Sequence, residues 1–474
     1  MKIQCALLCA GILLLGGCKP PVGEPSEFAS VSRVESGKAF SVMLTAYSTT
    51  LIANGTDQTR LRIAVIDSLS REITSASDSL RVFITGDGTV KNQDGTTPVM
   101  KQDTGGRIYA ATKLENGICH LIFIAGKKPD KVKLEVRSGK LWPGGHEIHT
   151  LPAGFVMMEP KPEQLAATVK PIERMIGADI SFLPQIKAKG TKFRENGNET
   201  DAILLLKKHG FNYIRLRIFV EPANEKGYAP REGYCDLNHT LSMAKRAKEA
   251  GMRLLLDFHY SDYWADPQQQ FKPLAWSNLD LKSLQDSVKQ YTVRILSALK
   301  KQGTPADMVQ VGNEINHGIL WPDGHISNPD NLAALLKSGV EGVTNVDTGI
   351  PVMMHLALGG QNKEAVFWLD NMIARGVKFD IIGISYYPRW HGTLDDLKSN
   401  LTDLSRRYHK PVNVVEYSDF KKQVHDIVFT LPDGLGKGAC IWEPLNAWSG
   451  LFDRENNVKP LMLTYDSLAR QYLR

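Results

Sequence analysis

Two glutamates of this chain lie at the ends of apolar segments, a position that is unfavourable for an unpaired carboxylate. Glu314 follows the run VQVGN, and Glu416 follows the run VNVV. Burying a carboxylate costs free energy unless the group is paired or used in chemistry. Two carboxyl groups about 5 Å apart can cleave a glycosidic bond with retention, because one protonates the leaving oxygen while the other attacks the anomeric carbon. The pair therefore predicts glycoside hydrolysis if the fold brings Glu314 and Glu416 together.

Other side chains suited to this chemistry also lie where apolar segments stop. The attacking carboxylate must stay ionised, which a cation such as Arg217 and a hydroxyl such as Tyr386 would favour, whereas its partner needs apolar surroundings that raise its pKa. Each residue also has a purely structural interpretation. A lone glutamate could pair with an arginine, one of Arg215 and Arg217 could serve only an ion pair, and His259 could be a hydrogen-bonded core histidine. Their joint occurrence at segment ends favours a functional site.

Tryptophans are concentrated in the same places, which matters because the apolar C–H faces of sugar rings stack on aromatic side chains. Trp368 lies in a helical pattern and is better explained as core. Any single loop tryptophan could equally serve loop packing, so only their common placement is informative. The tryptophans at segment ends or in the loops after them are Trp264, Trp276, Trp321, Trp390, Trp442 and Trp448.

The elements that must position these residues are apolar strands alternating with amphipathic helices, a pattern typical of a parallel sheet covered by helices. Eight strand–helix units over about 300 residues predict an α/β fold, a (β/α)8 TIM barrel, whose active site forms at the C-terminal ends of the strands. A doubly wound open sheet is the alternative, but its glycine-rich phosphate turn is missing after the first strand. The predicted strands are Gly177–Leu183, Asn212–Val220, Arg253–Tyr260, Met308–Ile315, Pro351–Leu358, Asp380–Pro388, Pro411–Ser418 and Gly438–Leu445.

The region before the barrel, residues 28–158, consists of short alternating strands separated by Gly, Asn and Asp turns, which predicts an all-β sandwich. Its phrase ANGTDQTRLRIAVID resembles bacterial immunoglobulin-like domains. A spacer is the first interpretation of this domain, and a sugar-binding module is the second. Residues 159–171 are rich in proline and charge and are predicted to link the sandwich to a barrel over 172–474.

The first residues predict export. Residues 1–17 combine an early lysine with a short apolar run, as in a signal peptide, and LLLGGC resembles the lipobox in which Cys18 becomes the acylated N-terminus. A plain signal peptide before an unmodified cysteine is the alternative. We therefore expect a proline-rich tether over 18–27 and an outer-membrane lipoprotein, with the cell surface preferred.

The cysteines and the net charge argue against several other kinds of protein. Cys119, Cys235 and Cys440 would remain after processing; they cannot all pair, and buried free thiols are expected. The chain shows no Cys/His spacing for zinc. A net charge of +6 spread over 474 residues, without a recognition motif, argues against a nucleic-acid partner.

Longer phrases carry a family resemblance that runs from about Gly177 to the C-terminus. They are GADISFLPQI, RLRIFV, HYSDYWADP, VQVGNEIN followed by GILWP, GISYYPRWHGTL, VVEYSD and WEP. Together they resemble the arabinogalactan endo-β-1,4-galactanases of glycoside hydrolase family 53. The resemblance implies a retaining, endo-acting enzyme that cuts β-1,4-galactan into galacto-oligosaccharides and needs no cofactor.

Matched position by position, the resemblance implies Glu314 as acid/base and Glu416 as nucleophile, with Arg217 and Tyr386 holding Glu416. Asn313 would bond the sugar 2-hydroxyl. The residues implied to line the sugar subsites are His259, Asp262, Trp264, Trp390, His391 and Trp442. One departure follows Glu416: bacterial relatives often carry a longer segment with calcium ligands there, whereas this chain passes from YSDF into a lysine-containing helix. Calcium is therefore not expected.

Three other functions remain open. A retaining mannanase or cellulase of the same clan would share the barrel and the two glutamates, and the orientation of the sugar 4-hydroxyl distinguishes these enzymes. A surface glycan-binding lipoprotein with a decayed active site would be marked by the loss of one catalytic glutamate, yet both Glu314 and Glu416 are present. A barrel that is only a scaffold, with protein contacts through the sandwich, predicts no stabilisation by sugar.

Overall fold

The computed structural model describes residues 27–165 and 170–473. The predicted signal peptide, the predicted lipidation site Cys18 and all but the last residue of the predicted tether lie outside these residues, as do positions 166–169 of the predicted linker. Among the helices of the described residues, none is long and apolar enough to cross a membrane.

An all-β sandwich comes first, and its prediction is confirmed. One sheet has the order β1-β5-β4-β10-β7 with β2 also paired to β4, and the other has the order β3-β12-β11-β6-β9-β8. The strands are β1 (Arg33–Val34), β2 (Ser41–Ala46), β3 (Thr50–Ile52), β4 (Gln58–Ile66), β5 (Glu72–Ile73), β6 (Ser79–Thr85), β7 (Gly88–Asn92), β8 (Val99–Gln102), β9 (Ile108–Lys113), β10 (Ile118–Ala125), β11 (Lys131–Arg137) and β12 (Gly144–Leu151).

Alternation of the side chains explains how the two sheets pack. Along β10, for example, every second residue is buried, including Leu121 and Phe123. These side chains meet residues of the opposite sheet such as Val82 and Leu134 in one apolar core. A short helix, α1 (Glu27–Ser32), precedes the sheets.

Eight parallel strands then close into a barrel, which confirms the predicted (β/α)8 fold. Two small two-stranded sheets lie in the loops after the first and fourth barrel strands. The barrel strands are β13 (Met175–Asp179), β16 (Tyr213–Ile218), β17 (Arg253–Phe258), β18 (Met308–Val311), β21 (Val352–Leu356), β22 (Ile381–Tyr386), β23 (Val412–Tyr417) and β24 (Gly436–Trp442); the loop pairs are β14 (Arg194–Glu195) with β15 (Asn198–Glu199) and β19 (Gly318–Ile319) with β20 (Gly324–His325).

The longer helices cover the outside of the barrel. Helix α4 illustrates how local sequence sets the ends of a helix. At the start of α4 the Asp236 side chain accepts a hydrogen bond from the backbone N–H of His239, and just beyond the end of α4 Gly251 has a φ of +68°. The helices are α2 (Leu183–Ala188), α3 (Ala202–Lys208), α4 (Leu237–Glu249), α5 (Leu281–Gln302), α6 (Pro329–Val346), α7 (Asn362–Ala374), α8 (Pro388–His391), α9 (Leu394–Tyr408), α10 (Lys421–Phe429) and α11 (Leu463–Tyr472).

Some strand bounds differ from prediction at the C-terminal ends, where the site lies. The prediction carried the fourth strand to Ile315, but β18 ends at Val311 because Gly312 and Glu314 have φ values of +85° and +49°. A non-glycine residue in the left-handed region interrupts a strand and is found most often at functional sites. The turn lies between the apolar residues Val311 and Ile315, so the hydrophobic pattern resumes after it and does not mark the end of the strand.

The sandwich packs directly against the catalytic-end loops of the barrel. The Glu364 carboxylate of α7 accepts hydrogen bonds from the Thr49 and Thr50 hydroxyls, at 2.8 and 2.7 Å. The His149 ring of β12 stacks on the His317 ring with centroids 3.8 Å apart. Buried polar groups that satisfy one another in this way fix the relative position of the domains. The last strand of the sandwich ends at Leu151, and the first strand of the barrel begins at Met175. The predicted domain boundaries fall in the connection between these two residues.

Candidate active site

The two predicted catalytic glutamates meet at the C-terminal end of the barrel. Glu416 lies in β23, and Glu314 lies in the turn three residues after β18 ends. A carboxylate oxygen of Glu314 lies within 4.8 Å of one of Glu416. This spacing matches a retaining glycosidase, because an inverting enzyme needs a wider gap to admit a water molecule.

Arg215 and Tyr387 hold Glu416 in place. The Arg215 guanidinium donates to Glu416 Oε2 through Nη1 at 3.0 Å, and the Tyr387 hydroxyl donates to Oε1 at 2.7 Å. Arg217 and Tyr386, which the resemblance implied for these roles, lie elsewhere. Arg217 donates to Glu443 at 2.7 Å, and the Tyr386 hydroxyl donates to the carbonyl oxygen of Gly392 at 3.2 Å.

Both corrections have a geometric reason. The pairing of β22 with β23 is irregular between Ile384 and Ser385, and side chains in a strand alternate between faces. Ser385 and Tyr387 therefore share the side that faces the glutamates, whereas Tyr386 is fully buried on the other. Arg215 and Arg217 lie on the same face of their strand. The stagger of the barrel strands decides how far along the barrel axis each side chain lies, and the sequence of a single strand does not reveal this stagger.

Arg217 instead supports an aromatic cluster beside the site. Its guanidinium lies 4.4 Å from the ring centroids of both Phe182 and Trp264, and those rings meet Trp442 with centroids 6.0 and 6.4 Å away. A delocalised cation between aromatic faces holds the rings through electrostatic attraction and contact area. Two predicted subsite residues, Trp264 and Trp442, are therefore positioned by the residue that was expected to hold the nucleophile.

Arg215 is the centre of a buried charge network at the bottom of the site. It bonds Asp179, Asp257 and Glu416, each at 2.9 to 3.0 Å, and it is 2% exposed. Its Nη2 also donates to Asn313 Oδ1 at 2.9 Å. Because buried charges are tolerated only when they are paired and hydrogen-bonded, this fork fixes the nucleophile relative to two other carboxylates.

Glu314 has a different set of partners. The Ser385 hydroxyl donates to Glu314 Oε1 at 2.6 Å, and His355 Nε2 lies 2.8 Å from that same hydroxyl oxygen. The backbone N–H of Glu314 donates to His355 Nδ1 at 3.3 Å. His355 is fully buried, and burial together with the charge of Arg215 holds its pKa well below the ordinary value, which keeps the ring neutral.

These environments give the two carboxyl groups different acidities. Burial and the nearby Glu416 charge raise the pKa of Glu314 well above its ordinary value. Burial also raises the pKa of Glu416, but the Arg215 charge and the Tyr387 hydroxyl oppose the increase. Glu314 is therefore better suited than Glu416 to hold a proton, and Glu416 is better suited to remain ionised.

Removing the Ser385 hydroxyl should change the pH profile. Its hydrogen bond favours the ionised form of Glu314, so Ser385→Ala should raise the pKa of Glu314 further. Because the acid must be protonated to act, we expect the alkaline limb of the pH profile of kcat/KM to move to higher pH. Ser287→Ala, which removes a hydroxyl on α5 that donates to the Ser283 carbonyl oxygen, is the control and should leave that limb in place. An unchanged or downward-shifted limb in Ser385→Ala would contradict the assignment.

Three other predicted residues serve the loops around the site. His259 is buried, accepts from the Ala265 N–H at 3.1 Å and lies 3.1 Å from Asp257, as the alternative of a hydrogen-bonded core histidine predicts. Asp262 accepts from the N–H groups of Glu221 and Leu274 and so joins two loops. The third of these residues, Asn313, is buried, with 5% of its surface exposed.

The catalytic cavity, about 290 Å³ in volume, contains Glu314 and Glu416. Of the predicted subsite residues, Trp390 and His391 line it, and Trp442 lines a neighbouring cavity that also reaches Glu416. Trp368 is fully buried, as expected, and donates to the Ile315 carbonyl oxygen at 3.0 Å.

Several residues of the site were missed by sequence reasoning. Arg215 was noted only as a possible ion-pair partner, and His355 was not considered because the fifth strand offers no terminal acid or tryptophan. The usable signal was a polar residue within an otherwise apolar strand, as at His355 and Ser385, since such a group needs a buried partner.

The sequence predicts no set of metal ligands. Among the described residues, the group whose side chains could together hold a cation is Glu314, His355 and Glu416, which is the catalytic pair with its neighbour. Cys119, Cys235 and Cys440 are buried free thiols, as predicted. After Glu416 the chain passes through Ser418 and Asp419 directly into α10.

A closed parallel barrel that brings two carboxylates within 4.8 Å at the C-terminal ends of its strands defines a retaining glycoside hydrolase. Comparison with known proteins narrows this class. Residues 175–445 match glycosyl hydrolase family 53, and the chain belongs to that family, as the sequence motifs indicated.

Individual relatives agree with this assignment. An uncharacterized protein of Niallia circulans is 41% identical over 316 residues, which cover 58% of this chain and 84% of that protein. The arabinogalactan endo-beta-1,4-galactanase A of Aspergillus niger is 34% identical over 308 residues, covering 57% and 85%. The solved GH53 catalytic domain of Ignisphaera aggregans has a TM-score of 0.59 and 32% identity, and the match covers 66% of this chain and 99% of that structure. The family match begins in β13, so the sandwich lies outside it.

Proposed function

We propose that this enzyme is an endo-acting retaining hydrolase of β-1,4-galactan, the neutral side chain of pectin. The observation that carries the proposal is the Glu314–Glu416 pair, with its two carboxylates set to different acidities by Arg215 and Ser385. The galactanase named among its relatives supports the choice of sugar. A mannanase or cellulase function has no comparable support.

The geometry accounts for each step of a double displacement. Glu416 attacks the anomeric carbon while Glu314 gives its proton to the leaving glycosidic oxygen, which releases one part of the chain and leaves a glycosyl ester on Glu416. Glu314, now ionised, takes a proton from water as that water attacks the same carbon. The sugar leaves with its original anomeric configuration, Glu416 is free and Glu314 is protonated again. Substrate and water balance the reaction, so the proposal involves no cofactor.

The cavities around the pair support endo action. The catalytic cavity adjoins two further cavities, and all three share Trp390. A cleft that extends beyond the catalytic groups accommodates several sugar units of a polymer, as endo action requires.

Hydrolysis of linear β-1,4-galactan by the parent protein and by Glu314→Ala tests the function. We expect short oligosaccharides from the parent and a loss of about 10²- to 10⁴-fold in the variant, because the leaving oxygen loses its proton donor. The loss should be smaller on an aryl galacto-oligosaccharide whose leaving group needs no proton. Glu341→Ala, which removes an exposed carboxylate on α6, is the control and should retain parental rates. A parent that cuts mannan or cellulose but not galactan would contradict the proposed substrate.

We also propose that the protein is an exported lipoprotein attached to the outer membrane through Cys18, with the cell surface as its location. The phrase LLLGGC near the N-terminus supports this proposal. Metabolic labelling with a radioactive fatty acid should mark the parent, and Cys18→Ala should be unlabelled and released from the membrane fraction. Cys5→Ala, a cysteine within the predicted signal peptide, is the control. Equal labelling of the parent and Cys18→Ala would contradict the anchor.

A further inference from the structure

The sandwich domain reaches the catalytic glutamates, although it lies outside the residues that match the family. Thr49, Gly145, His146 and Glu147 of the sandwich line the catalytic cavity together with barrel residues such as Glu314. The substrate cleft is thus bounded on one side by the barrel loops and on the other by a domain that a family 53 match does not account for.

The cleft continues along the domain boundary into two cavities that adjoin the catalytic cavity. We call the two continuations the outer cavity and the lateral cavity. The outer cavity, about 530 Å³, shares Tyr387, Trp390 and Glu416 with the catalytic cavity. The lateral cavity, about 670 Å³, shares Gly145, His146, Glu147, Gln268 and Trp390 with it. A linear polymer bound in the catalytic cavity would therefore extend into these neighbouring cavities.

The outer cavity has aromatic faces from both domains. Phe40, just before β2, is 47% exposed and lines it from the sandwich side. Trp448 is 61% exposed on the barrel side and stacks on Trp442, with centroids 5.9 Å apart and planes at 18°. Exposed aromatic faces beside a catalytic carboxylate suit the apolar C–H faces of sugar rings, and the Ser68 and Ser70 turn adds hydroxyl groups to the same wall.

The lateral side has a polar group from the sandwich. His146 on β12 lines both the catalytic and lateral cavities. Its Nε2 donates to the Trp390 carbonyl oxygen at 3.1 Å, and burial lowers its pKa. The ring is therefore neutral with the proton on Nε2, which makes Nδ1 a hydrogen-bond acceptor suited to a sugar hydroxyl.

The sandwich is held firmly enough to act as a fixed wall. Beside the cleft, Arg389 of α8 donates to the Pro143 carbonyl oxygen at 2.6 Å, and the Tyr47 hydroxyl donates to Asp396 of α9 at 3.2 Å. The Glu364 and His149 contacts described above secure the same face. A wall fixed before the substrate arrives lowers the entropy cost of binding.

We propose that the sandwich domain is part of the substrate-binding cleft and contacts the β-1,4-galactan chain beside the catalytic pair, through Phe40 in the outer cavity and His146 towards the lateral cavity. This inference rests on the proposed function. It replaces the expectation that the domain is a spacer and differs from a separate sugar-binding module, because the sugar would bind in the active-site cleft.

Substrate length provides the test. Steady-state rates of the full protein, Phe40→Ala and His146→Ala would be measured on linear β-1,4-galactan and on purified galacto-oligosaccharides of increasing length. For Phe40→Ala we expect kcat/KM on the polymer to fall about fivefold, mainly through a higher KM, because one stacking contact is lost. His146→Ala should lose about threefold, as for one hydrogen bond to an uncharged group. On the shortest oligosaccharide that is cleaved, both variants should stay within about twofold of the parent.

Two controls separate binding from folding. Phe40→Trp keeps an aromatic face and should retain parental kinetics on every length. Met100→Ala removes a sandwich side chain that is 50% exposed and lines none of the three cavities, and it should also be unchanged. A parent without galactan activity would overturn the proposed function itself. An active parent whose Phe40→Ala and His146→Ala variants match Met100→Ala on every length, or lose activity equally on all lengths, would overturn only the role of the sandwich.

Discussion

Glu416→Ala should lose at least about 10⁴-fold in kcat on galactan while keeping the parental melting temperature to within a few degrees. Without the carboxylate there is no covalent intermediate, and the remaining groups bind and orient the sugar without attacking it. Glu416 is 8% exposed and has Arg215 and Tyr387 as partners, so a small replacement leaves space that water can enter from the cleft. Steady-state rates and a thermal denaturation curve on the same preparation measure both effects.

The product stereochemistry strengthens this test. The parent should release the β-anomer first, which nuclear magnetic resonance can follow before mutarotation. Adding azide to a Glu416→Ala or Glu416→Gly variant with an activated aryl substrate should restore turnover and give a product of inverted configuration. Normal rates in Glu416→Ala, or initial release of the α-anomer by the parent, would be incompatible with Glu416 as nucleophile.

Arg215→Met should be the most destabilising single change in the site. It would leave Asp179, Asp257 and Glu416 without the cation that each contacts at 2.9 to 3.0 Å in a buried environment. Breaking a buried ion-pair network by removing one partner costs about 3–5 kcal/mol of folding stability. Activity should fall as well, because loss of the Arg215 charge removes the interaction that lowers the pKa of Glu416. Calorimetry gives the stability change, and rates on galactan give the activity.

A matched arginine is available at the opposite end of the barrel. Arg253 begins β17 and pairs with Asp307 and Glu173, and its side chain is 41% exposed. Arg253→Met should therefore cost less than about 1 kcal/mol, as expected of exposed ion pairs. An Arg215→Met variant as stable as Arg253→Met would show that the buried network does not stabilise the fold as proposed here.

The order of elements could be predicted because it depends on local pattern. Apolar strands and amphipathic helices repeat with distinct periods, and both the sandwich before the barrel and the eight barrel strands follow from them. The ends of strands could not be predicted as well. At Gly312 and Glu314 the backbone adopts left-handed conformations between the apolar residues Val311 and Ile315, and such a turn depends on the packing around it.

Within the site, the sequence by itself determined the chemistry: two glutamates after apolar runs and aromatic residues in the loops, in motifs typical of one hydrolase family. Which residues contact those glutamates was decided only by the tertiary structure. Barrel stagger and the irregular pairing of β22 with β23 put Arg215 and Tyr387, rather than Arg217 and Tyr386, against Glu416. The packing of the sandwich against the barrel likewise brings Phe40 and His146 to the cleft. This placement could not be predicted from the sequence, because contacts between distant segments depend on three-dimensional packing and no local pattern encodes them.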